Sequence, residues 1–413
     1  MAARVKRLGV WLDGVHVADL EQRRWPEIRC RYTPAALEAA PLNSPLISCS
    51  LPLGPRPLDA AAFCRGLLPE GQALQAMAAR AGVAVDETFE LLARYGRDVA
   101  GALTIAEGTP SESNFGAAPY NAEGLAAAIE ELDEFPLGAH EDSELSLAGL
   151  QDKLLLVRLG DGRWARPTGG RPSTHILKAD DARHPGLVVA EAHCLRLARA
   201  ADLTTVDSEL ARFGDGPCLI VSRFDRAVAG GELRRIHQED LCQALGVDPV
   251  GASGRAKYED GGGPSLRRLA RLLDEHAPDP AAQLDRLVRA ITFTVLIGNA
   301  DAHGKNLALL HPTPTGVELA PLYDTVPTAL WPRLRTRAAM AIGGQVELAD
   351  VSLADICREA RAWPHPEERA REAAVTTIGE VVRALDEEAI PGDSDIARLV
   401  RERASRLLAA SPL

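Results

Sequence analysis

Two hydrophobic patterns follow one another along the chain, one of period two and one of helical period. Apolar residues alternate over residues 8–12 and again over 15–17, and Asp13-Gly14 lies between the two runs. Alternation on both sides of an Asp-Gly pair is typical of a β-hairpin with a tight turn. Residues 59–105 instead have a helical composition, interrupted near Pro69-Glu70-Gly71. The N-terminal part of the chain is therefore predicted to be a hairpin followed by helices.

A less regular stretch comes next. Gly, Pro, Ser and Asn collect over residues 107–122 without periodicity, which predicts a linker or loop. Acidic residues crowd residues 123–144 and predict a solvated helix rather than a functional site.

Apolar runs of strand length return from about residue 145 and predict a second β-rich block. We expect a helix over residues 187–200, with Glu191 in its first turns. The predicted strands are Lys153–Leu159, Thr174–Lys178 and Cys218–Val221, and Gly160-Asp161-Gly162 is the predicted turn after the first of them.

The pattern becomes helical after about residue 238. Apolar residues recur at spacings of three and four over residues 284–295, which predicts one buried helical face. Further helices are expected over residues 351–411. The chain has 413 residues, more than one hydrophobic core usually supports. A β-rich block joined to a helical block near residues 222–240 predicts two lobes with a cleft between them.

Composition and charge exclude several classes of protein. The chain has 46 Lys and Arg against 58 Asp and Glu, a formal charge of −12. This balance argues against a protein coated with basic residues for nonspecific nucleic-acid binding. The seven cysteines include no C-x-x-C pair, so reduced thiols in a cytoplasmic protein are expected. No apolar stretch approaches the roughly 20 residues that cross a bilayer, so no membrane association is expected.

The densest chemical signal is the segment Gly298–Asn306, which follows the apolar helix and precedes a short predicted strand, Leu307–Leu310. Phosphoryl transfer needs a carboxylate that orients or deprotonates the attacking hydroxyl, and oxygen ligands that hold Mg²⁺ against the phosphates. Asp301 and Asn306 have the spacing of the kinase pattern D-x-x-x-x-N. Asp324 ends a second predicted strand, where a metal-binding carboxylate is expected. The three polar residues predict an ATP-dependent phosphotransferase.

Lys178 is a weaker candidate in the β-rich block. A lysine at the end of a strand can bind the α- or β-phosphate, with Glu191 as its partner, although such lysines are usually solvated. Asp152 and Lys153 form an alternative charged pair. From its residues alone the segment Ser146–Lys153 predicts only a turn, because it matches neither a Walker A loop nor G-x-G-x-x-G.

Charged residues around the main signal allow two interpretations. His303 and Lys305 could face phosphate, but as isolated residues they are more often solvated. Arg333, Arg335 and Arg337 could meet an acidic substrate or nucleic acid, but a solvated charged face is the more ordinary interpretation.

Seven short segments have the order and spacing of one known family. They are Ser146–Lys153 (SLAGLQDK), His175–Lys178 (HILK), Ser222–Arg226 (SRFDR), His237–Asp240 (HQED), Tyr258–Pro264 (YEDGGGP), Asp301–Asn306 (DAHGKN) and Tyr323-Asp324. On these segments the chain resembles the HipA family of bacterial serine/threonine kinase toxins over nearly its whole length. The N-terminal hundred residues are similar to the small extra subdomain of that family.

The resemblance implies an α+β, bilobal fold like that of protein and phosphoinositide kinases. It comprises a small N-terminal β-containing subdomain and an all-α C-lobe. The expected domains are an N-terminal subdomain over 1–106, a linker or acidic segment over 107–142, an N-lobe-like domain over 143–240 and a helical C-lobe with the catalytic loop over 241–413.

The resemblance also implies ATP and Mg²⁺ as cofactors and assigns roles to residues. Asp301 would be the catalytic base, and Asn306 and Asp324 the Mg²⁺ ligands, which also contact ATP. The other expected ATP contacts are Ala148, Gly149, Leu150, Gln151, Asp152 and Lys153 of an unusual phosphate-binding loop, Lys178, the hinge residues Ser222, Arg223 and Phe224 near adenine, and His303, Gly304, Lys305 and Tyr323.

Regulation and partners follow from the same resemblance. Ser146 matches a serine that family members phosphorylate on themselves, and a phosphate there would repel ATP and act as an off switch. The expected partners are a HipB-like helix-turn-helix antitoxin and a protein substrate, by resemblance an aminoacyl-tRNA synthetase such as glutamyl-tRNA synthetase. Phosphorylation of that substrate would block translation and cause growth arrest and persistence. The C-terminal tail has no match to the family's basic DNA-contacting segment, so DNA contact is expected only through the antitoxin.

Two other functions stay open at this point. A small-molecule kinase of the aminoglycoside type also carries D-x-H-x-x-N, although the N-terminal subdomain and the Ser146 segment argue against it. A catalytically spent corepressor, acting as a binding module with its antitoxin, is disfavoured by the intact Asp301, Asn306, Asp324 and Lys178.

Overall fold

The computed structural model divides the chain into two compact units. It describes residues 6–132, 135, 137–138, 145–147, 153–180, 184–214, 216–229, 232–251, 254–387, 389–392 and 394–409. Unit 1 comprises Met1–Ala179, Glu209–Glu239 and Leu310–Thr315, and unit 2 comprises Asp180–Ser208, Asp240–Leu309 and Gly316–Leu413.

Unit 1 begins with a five-stranded antiparallel sheet. Its strands are β1 (Lys6–Leu12), β2 (Val15–Gln22), β3 (Arg29–Tyr32), β4 (Leu58–Asp59) and β5 (Leu103–Ala106), in the order β4-β3-β2-β1-β5. The predicted hairpin is confirmed: Asp13 and Gly14 turn between β1 and β2 with φ values of +48° and +76°. Positive φ at both central residues is what a tight hairpin turn requires.

Four helices cover this sheet region. They are α1 (Pro34–Ala39), α2 (Ala61–Gly66), α3 (Gly71–Ala81) and α4 (Thr88–Tyr95). The predicted break near residues 69–71 is confirmed, because α2 ends at Gly66 and α3 begins at Gly71. The helical prediction is wrong at its C-terminal end. Leu103 and Ile105 alternate inward and pair with β1 as strand β5, so tertiary pairing decides the conformation of these residues.

A six-stranded sheet completes unit 1. Its strands are β6 (Gly116–Pro119), β7 (Lys153–Arg158), β8 (Trp164–Thr168), β9 (His175–Ala179), β10 (Ser208–Phe213) and β11 (Gly216–Ser222), in the order β10-β11-β9-β7-β8-β6. The predicted strands near residues 153, 174 and 218 are confirmed as β7, β9 and β11. Helix α5 (Ala122–Glu130) confirms the helix predicted in the acidic stretch 123–144 for its N-terminal part only, because residues 131 and 132 form a turn. Strand β12 (Arg226–Ala229) pairs with β13 (Glu232–Arg235).

Three strands of this sheet, β6, β8 and β10, were not predicted. The segment 107–122 was expected to be a loop, but Gly116–Pro119 pairs antiparallel with β8 at the edge of the sheet. Its sequence, Gly-Ala-Ala-Pro, has no β-branched or aromatic residue, and proline is tolerated at an edge. Cross-strand pairing therefore makes the strand, rather than local propensity.

Unit 2 is mainly helical. Its helices are α6 (Leu187–Ala200), α7 (Leu241–Ala244), α8 (Leu266–His276), α9 (Pro280–Ile297), α10 (Leu353–Arg361), α11 (Glu367–Asp386) and α12 (Asp395–Ala409). The apolar face predicted over residues 284–295 is confirmed, because its side chains are buried along α9. Among the helices that the structure describes, none has both the length and the apolar character to cross a bilayer.

Short strands precede or separate these helices along the chain. They are β14 (Gln238–Asp240), β15 (Ala308–Thr313), β16 (Gly316–Leu319), β17 (Arg337–Ile342) and β18 (Gln345–Glu347), and most residues of β14 and β15 belong to unit 1. Four of these strands fall within residues 241–413, so the expectation of an all-α C-lobe is wrong and this part of the chain is mainly helical. Asp324 was expected to end a strand, but β16 stops at Leu319 and residues 320–327 are irregular. The extended run before Asp324 is therefore a loop, which leaves the backbone of Asp324 free to take an unusual conformation.

Candidate active site

The candidate catalytic loop starts where α9 ends. Gly298 caps the helix with φ +72°, and its backbone N–H bonds to carbonyls of the last turn. A Cβ atom at this position would lie 2.8 Å from the Cβ of Ala329, so only glycine fits both the conformation and the space. Ala329 in turn donates its backbone N–H to the Gly298 carbonyl (3.0 Å). The loop after α9 thus leaves the helix in one defined direction.

Asn299 ties this loop to the segment that carries Asp324. Its side-chain oxygen accepts the backbone N–H of Asp301 (3.0 Å), and its amide nitrogen donates to the carbonyl of Asp324 (3.3 Å). Thr328 adds a second tie, accepting from the Ala300 N–H (2.8 Å). Asp301 and Asp324 lie 23 positions apart in sequence and are therefore held by one small hydrogen-bond network.

The carboxylate of Asp301 lies among charged and aromatic neighbours. The Tyr258 hydroxyl donates to its Oδ1 at 2.7 Å. Burial raises the pKa of Asp301 above its ordinary value, and the nearby Asp324 carboxylate acts in the same direction. The Tyr258 hydrogen bond and the positive charges of Lys257 and Arg335 oppose this rise in pKa without cancelling it. The result is a carboxylate more basic than an exposed one, as a proton acceptor requires.

Asn306 and Asp324 offer the oxygen atoms expected for a cation. The Asn306 amide nitrogen donates to the Asp301 carbonyl (2.9 Å), so its Oδ1 points away from that carbonyl. Asp324 has φ +49°, a strained conformation for a residue with a side chain. Its carbonyl is fixed by Asn299 and by the Val326 N–H (3.0 Å). Tyr323 beside it donates its hydroxyl to the Lys305 carbonyl (2.8 Å).

This donor set fits Mg²⁺. One amide oxygen and one carboxylate are hard ligands, and Mg²⁺ in kinase sites is usually held by one or two protein groups together with substrate phosphates. In the described part of the chain, no group of three or more His, Cys, Asp or Glu side chains forms a self-sufficient metal site. The residues are therefore suited to a cation that arrives with a nucleotide.

His303 and Lys305 lie in the loop and have structural partners outside it. Burial and the charges of Lys257 and Lys305 lower the pKa of His303 to about 3, so the imidazole is neutral. Its ring meets that of Tyr258 edge-on, with centroids 5.1 Å apart. The ammonium group of Lys305 donates to Asp240 Oδ2 at 2.7 Å. Both side chains are buried, so the interpretation of them as solvated residues is wrong.

The Arg333, Arg335 and Arg337 group divides. Arg333 and Arg337 are exposed, and Arg337 pairs with Glu347 (3.3 Å), as expected of a solvated charged face. Arg335 is turned inward, where its guanidinium bonds to Asp260 (3.2 Å) and lies 4.5 Å from the centroid of the Tyr258 ring.

Two lysines face each other in unit 1. Lys153 begins β7 and is the direct cross-strand partner of Lys178 on β9, and both are buried. Opposite residues of an antiparallel pair project from the same face of a sheet, and like charges in that arrangement repel. Glu191, the expected partner of Lys178, is buried in α6 of unit 2. Their pairing stays a prediction.

The expected hinge residues lie at the C-terminal end of β11, whose last residue is Ser222. The Arg223 backbone N–H donates to the Thr174 carbonyl (2.9 Å), and its side chain makes a two-pronged ion pair with Asp225 (2.9 and 2.8 Å). Ser222 and Phe224 are half-buried. Since the Arg223 side chain is used inside unit 1, any nucleotide contact by this residue would have to come from its backbone.

Ser146 is completely buried in unit 1. Its hydroxyl donates to the Leu67 carbonyl (2.9 Å), and its backbone N–H donates to the Asp98 carbonyl (2.9 Å). A phosphorylated serine needs cationic or N–H partners and could not remain in this position. The expected phosphate-loop residues Ala148, Gly149, Leu150, Gln151 and Asp152 lie outside the described residues.

The structure adds functional neighbours that sequence reasoning did not single out. Tyr258 was noticed only as part of a family segment, and Asn299, Lys257 and Asp240 were given no role of their own. Asn299 could have been found from the sequence. It lies two residues before Asp301 in the loop that begins at Gly298, where a side-chain amide can hydrogen-bond to the loop backbone and hold the candidate base. The partners Tyr258 and Lys257 lie about 43 residues before Asp301, and no local pattern signals such a contact.

Comparison with known proteins places the chain in a family. A family model described as HipA-like C-terminal domain matches residues 145–388, and one described as HipA N-terminal domain matches residues 8–106. The first alone covers more than half of the chain. The protein belongs to the HipA family of kinases.

Individual relatives agree. The chain is 38% identical over 358 residues to a putative kinase, Y4mE, of Sinorhizobium fredii, covering 84% of this chain and 83% of that protein. It is 34% identical over 294 residues to the serine/threonine-protein kinase toxin HipA of Shewanella oneidensis, covering 69% of this chain and 67% of the toxin. The solved structure of the Shewanella oneidensis HipA, in complex with HipB and operator DNA, matches with a TM-score of 0.81 at 28% identity, covering 97% and 96% of the two chains. The α+β kinase fold expected from the sequence is confirmed.

Proposed function

We propose that this protein is a serine/threonine protein kinase toxin that transfers the γ-phosphate of ATP to a protein hydroxyl. The observation that carries the proposal is the single network that joins Asp301, Asn306 and Asp324 through Asn299. Family membership supports kinase activity of the HipA type. The network adds a basic carboxylate beside two hard oxygen ligands, which are the groups that phosphoryl transfer uses.

The chain's own residues would act on the acceptor in one step. The acceptor hydroxyl oxygen bonds to the γ-phosphorus while the bond from that phosphorus to the ADP oxygen breaks, and the hydroxyl proton passes to Asp301. The raised pKa of Asp301 favours this proton transfer. Asn306 and Asp324 would hold Mg²⁺, which when bound neutralises charge on the phosphates. Asn299 keeps base and ligands in register.

Nucleotide contacts outside the catalytic loop are part of the proposal. Lys153 and Lys178 would bind phosphate oxygens at the sheet face that they share. Lys153 is the last residue of the expected 148–153 loop, and Lys178 lies on strand β9. The Ser222–Phe224 backbone would lie near adenine. What supports the lysine assignment is their direct pairing across β7 and β9, both buried.

The proposed acceptor and partner come from the family. The acceptor would be an aminoacyl-tRNA synthetase, for example glutamyl-tRNA synthetase, whose modification blocks translation. The partner would be a HipB-like antitoxin, since the Shewanella oneidensis HipA structure is a complex with HipB and operator DNA. DNA would be reached through the antitoxin, because the formal charge of the chain is −12.

Incubation with γ-labelled ATP and host lysate tests the proposal. We expect label on a defined lysate protein, identified by mass spectrometry as a phosphoserine or phosphothreonine, and none when Mg²⁺ is chelated. A phosphorylated small molecule, such as an added aminoglycoside, without protein labelling would instead indicate a small-molecule kinase. If calorimetry detects no ATP binding with Mg²⁺ present, a corepressor without catalysis becomes the better explanation.

Phosphorylation of Ser146 is a separate expected result. After incubation with Mg-ATP we expect phosphate on Ser146 and weaker ATP binding, because the modified side chain cannot return to its buried place against the Leu67 carbonyl. Ser146→Ala should keep its ATP affinity after the same incubation. That substitution removes one hydrogen bond and should cost only about 1 kcal/mol of stability. Unchanged ATP affinity in the fully Ser146-phosphorylated protein would contradict the off-switch role.

A further inference from the structure

Tyr258 occupies one oxygen of the candidate base. Its hydroxyl donates to Oδ1 of Asp301 at 2.7 Å, so that oxygen already accepts one strong hydrogen bond. The rings of Tyr258 and His303 are nearly perpendicular, and the Arg335 guanidinium carbon lies 4.5 Å from the centroid of the Tyr258 ring. The phenol is therefore packed between the catalytic loop and Arg335.

The backbone around Tyr258 is attached directly to the catalytic loop. The Gly304 N–H donates to the Lys257 carbonyl (3.0 Å). A Cβ at position 304 would lie 2.5 Å from Pro264, so the loop and the Tyr258–Pro264 turn touch more closely than any larger residue allows. The distance from the phenol to Asp301 is therefore set by a rigid backbone contact and not by a long side chain reaching across solvent.

The same turn is fastened to the chain that follows Asp324. Arg335 bonds to Asp260 (3.2 Å) and to the backbone carbonyls of Arg337 (2.7 Å) and Ala338 (3.1 Å). The Ala341 N–H donates to Glu259 (2.6 Å), a second and independent attachment of strand β17. The conformation of residues 335–341 is thus linked to the turn that carries the phenol.

We infer that Tyr258 is a positioning residue for Asp301, holding Oδ1 so that Oδ2 takes the acceptor proton, and that Arg335 makes this depend on the segment after Asp324. The inference rests on the proposed kinase function and deepens it. A hydroxyl that arrives from the acceptor then meets one available oxygen in one orientation. If residues 335–341 moved, Arg335 would no longer support the Tyr258 ring, and Asp301 would lose its orientation.

Tyr258→Phe tests the positioning role, because it removes the hydroxyl and keeps the ring. We expect kcat for protein phosphorylation to fall about 10- to 100-fold, the range for losing a hydrogen bond to a charged group. KM for ATP and the Kd for Mg-ATP should stay within about twofold, since the phenol contacts the base and not the proposed phosphate or metal groups. Thermal melting of the variant establishes that it is folded.

Tyr95→Phe is the matched control. It also removes a tyrosine hydroxyl that makes a hydrogen bond, to the Met77 carbonyl (3.2 Å) in the core of unit 1, and it should leave kcat unchanged. Arg335→Lys keeps the positive charge that acts on Asp301 and removes the planar guanidinium from the ring, so it should lower kcat in the same direction as Tyr258→Phe. The double variant should be no slower than Tyr258→Phe alone, because the effect of this substitution passes through the ring.

The possible outcomes distinguish failure of the inference about Tyr258 from failure of the proposed kinase function. A wild-type chain that phosphorylates protein, together with an unchanged kcat in folded Tyr258→Phe, overturns the inference and leaves the proposed function standing. Additive effects in the double variant overturn the coupling through Arg335. A wild-type chain that transfers phosphate to neither protein nor water overturns the proposed function and the inference with it.

Discussion

Asp301→Asn is expected to lower phosphotransfer by about 10²- to 10⁴-fold, the range for losing a general base. The amide keeps the shape of the carboxylate and can still accept the Tyr258 hydrogen bond, but it cannot take up the acceptor proton. The backbone bonds of residue 301 to Asn299, His303 and Asn306 do not involve the changed group. The fold and the Kd for Mg-ATP should therefore stay close to wild type, as measured by thermal melting and calorimetry.

Asp386→Asn is a suitable control for this substitution. It makes the same chemical change at the end of α11, in an exposed ion pair with Arg401 (2.8 Å), and exposed pairs contribute little. The control should phosphorylate protein at the wild-type rate. Full activity of Asp301→Asn with a label-based assay would remove Asp301 from the role of base and with it the proposed mechanism.

The local part of the candidate site could be predicted from the sequence. Asp301 and Asn306 were found because a loop between a helix and a strand concentrates polar residues after a long apolar run. Asp324 was found as the end of an expected strand, although that run proves to be a loop. The buried face of α9 was found because its apolar residues recur at helical spacing along the sequence. These features depend on residues close to one another along the chain.

The parts that failed depend on contacts distant in sequence. Strand β5 has a helical neighbourhood and becomes a strand by pairing with β1. The Asp301–Tyr258 hydrogen bond joins residues 43 positions apart, and Lys305 is held by Asp240 across 65 positions. Only the folded backbone brings such residues together, so the burial of Lys305 in an ion pair could not be predicted from the sequence.

The segment Ser222–Arg226 illustrates the same limit in unit 1. The sequence identifies it as a family segment with two arginines and an aspartate, but the sequence does not show that these charges are buried. In the structure Arg223, Arg226, Asp225 and Asp98 have side chains at most 3% exposed and bond to one another. Asp98 comes from the N-terminal subdomain, 125 residues before Arg223, so this subdomain supplies a charge that the expected hinge needs.

Asp98→Ala is therefore expected to destabilise unit 1 by about 3–5 kcal/mol, the range for breaking a buried ion pair by removing one partner. Asp98 accepts hydrogen bonds from Arg226 (2.8 Å) and from the Ser173 N–H (2.8 Å) and hydroxyl (2.7 Å). Removing the carboxylate leaves Arg226 and its neighbour Arg223 buried with less compensating charge. Denaturant unfolding at neutral pH measures the loss, and Glu367→Ala is the control, since its pair with Arg361 is exposed and should contribute less than about 1 kcal/mol.

The pH dependence of this loss identifies its cause. Burial alone would raise the pKa of Asp98, but Arg223, Arg226 and Arg235 outweigh it and hold the pKa below the ordinary value. A carboxylate with a depressed folded pKa stabilises the protein above its unfolded pKa of about 3.9, and this contribution declines as the pH falls toward the folded pKa. The difference in unfolding free energy between wild type and Asp98→Ala should therefore be constant from about pH 5 to 7 and shrink below pH 4. A difference that stays the same at pH 3 would show that Asp98 stabilises unit 1 through its hydrogen bonds and packing rather than through its charge.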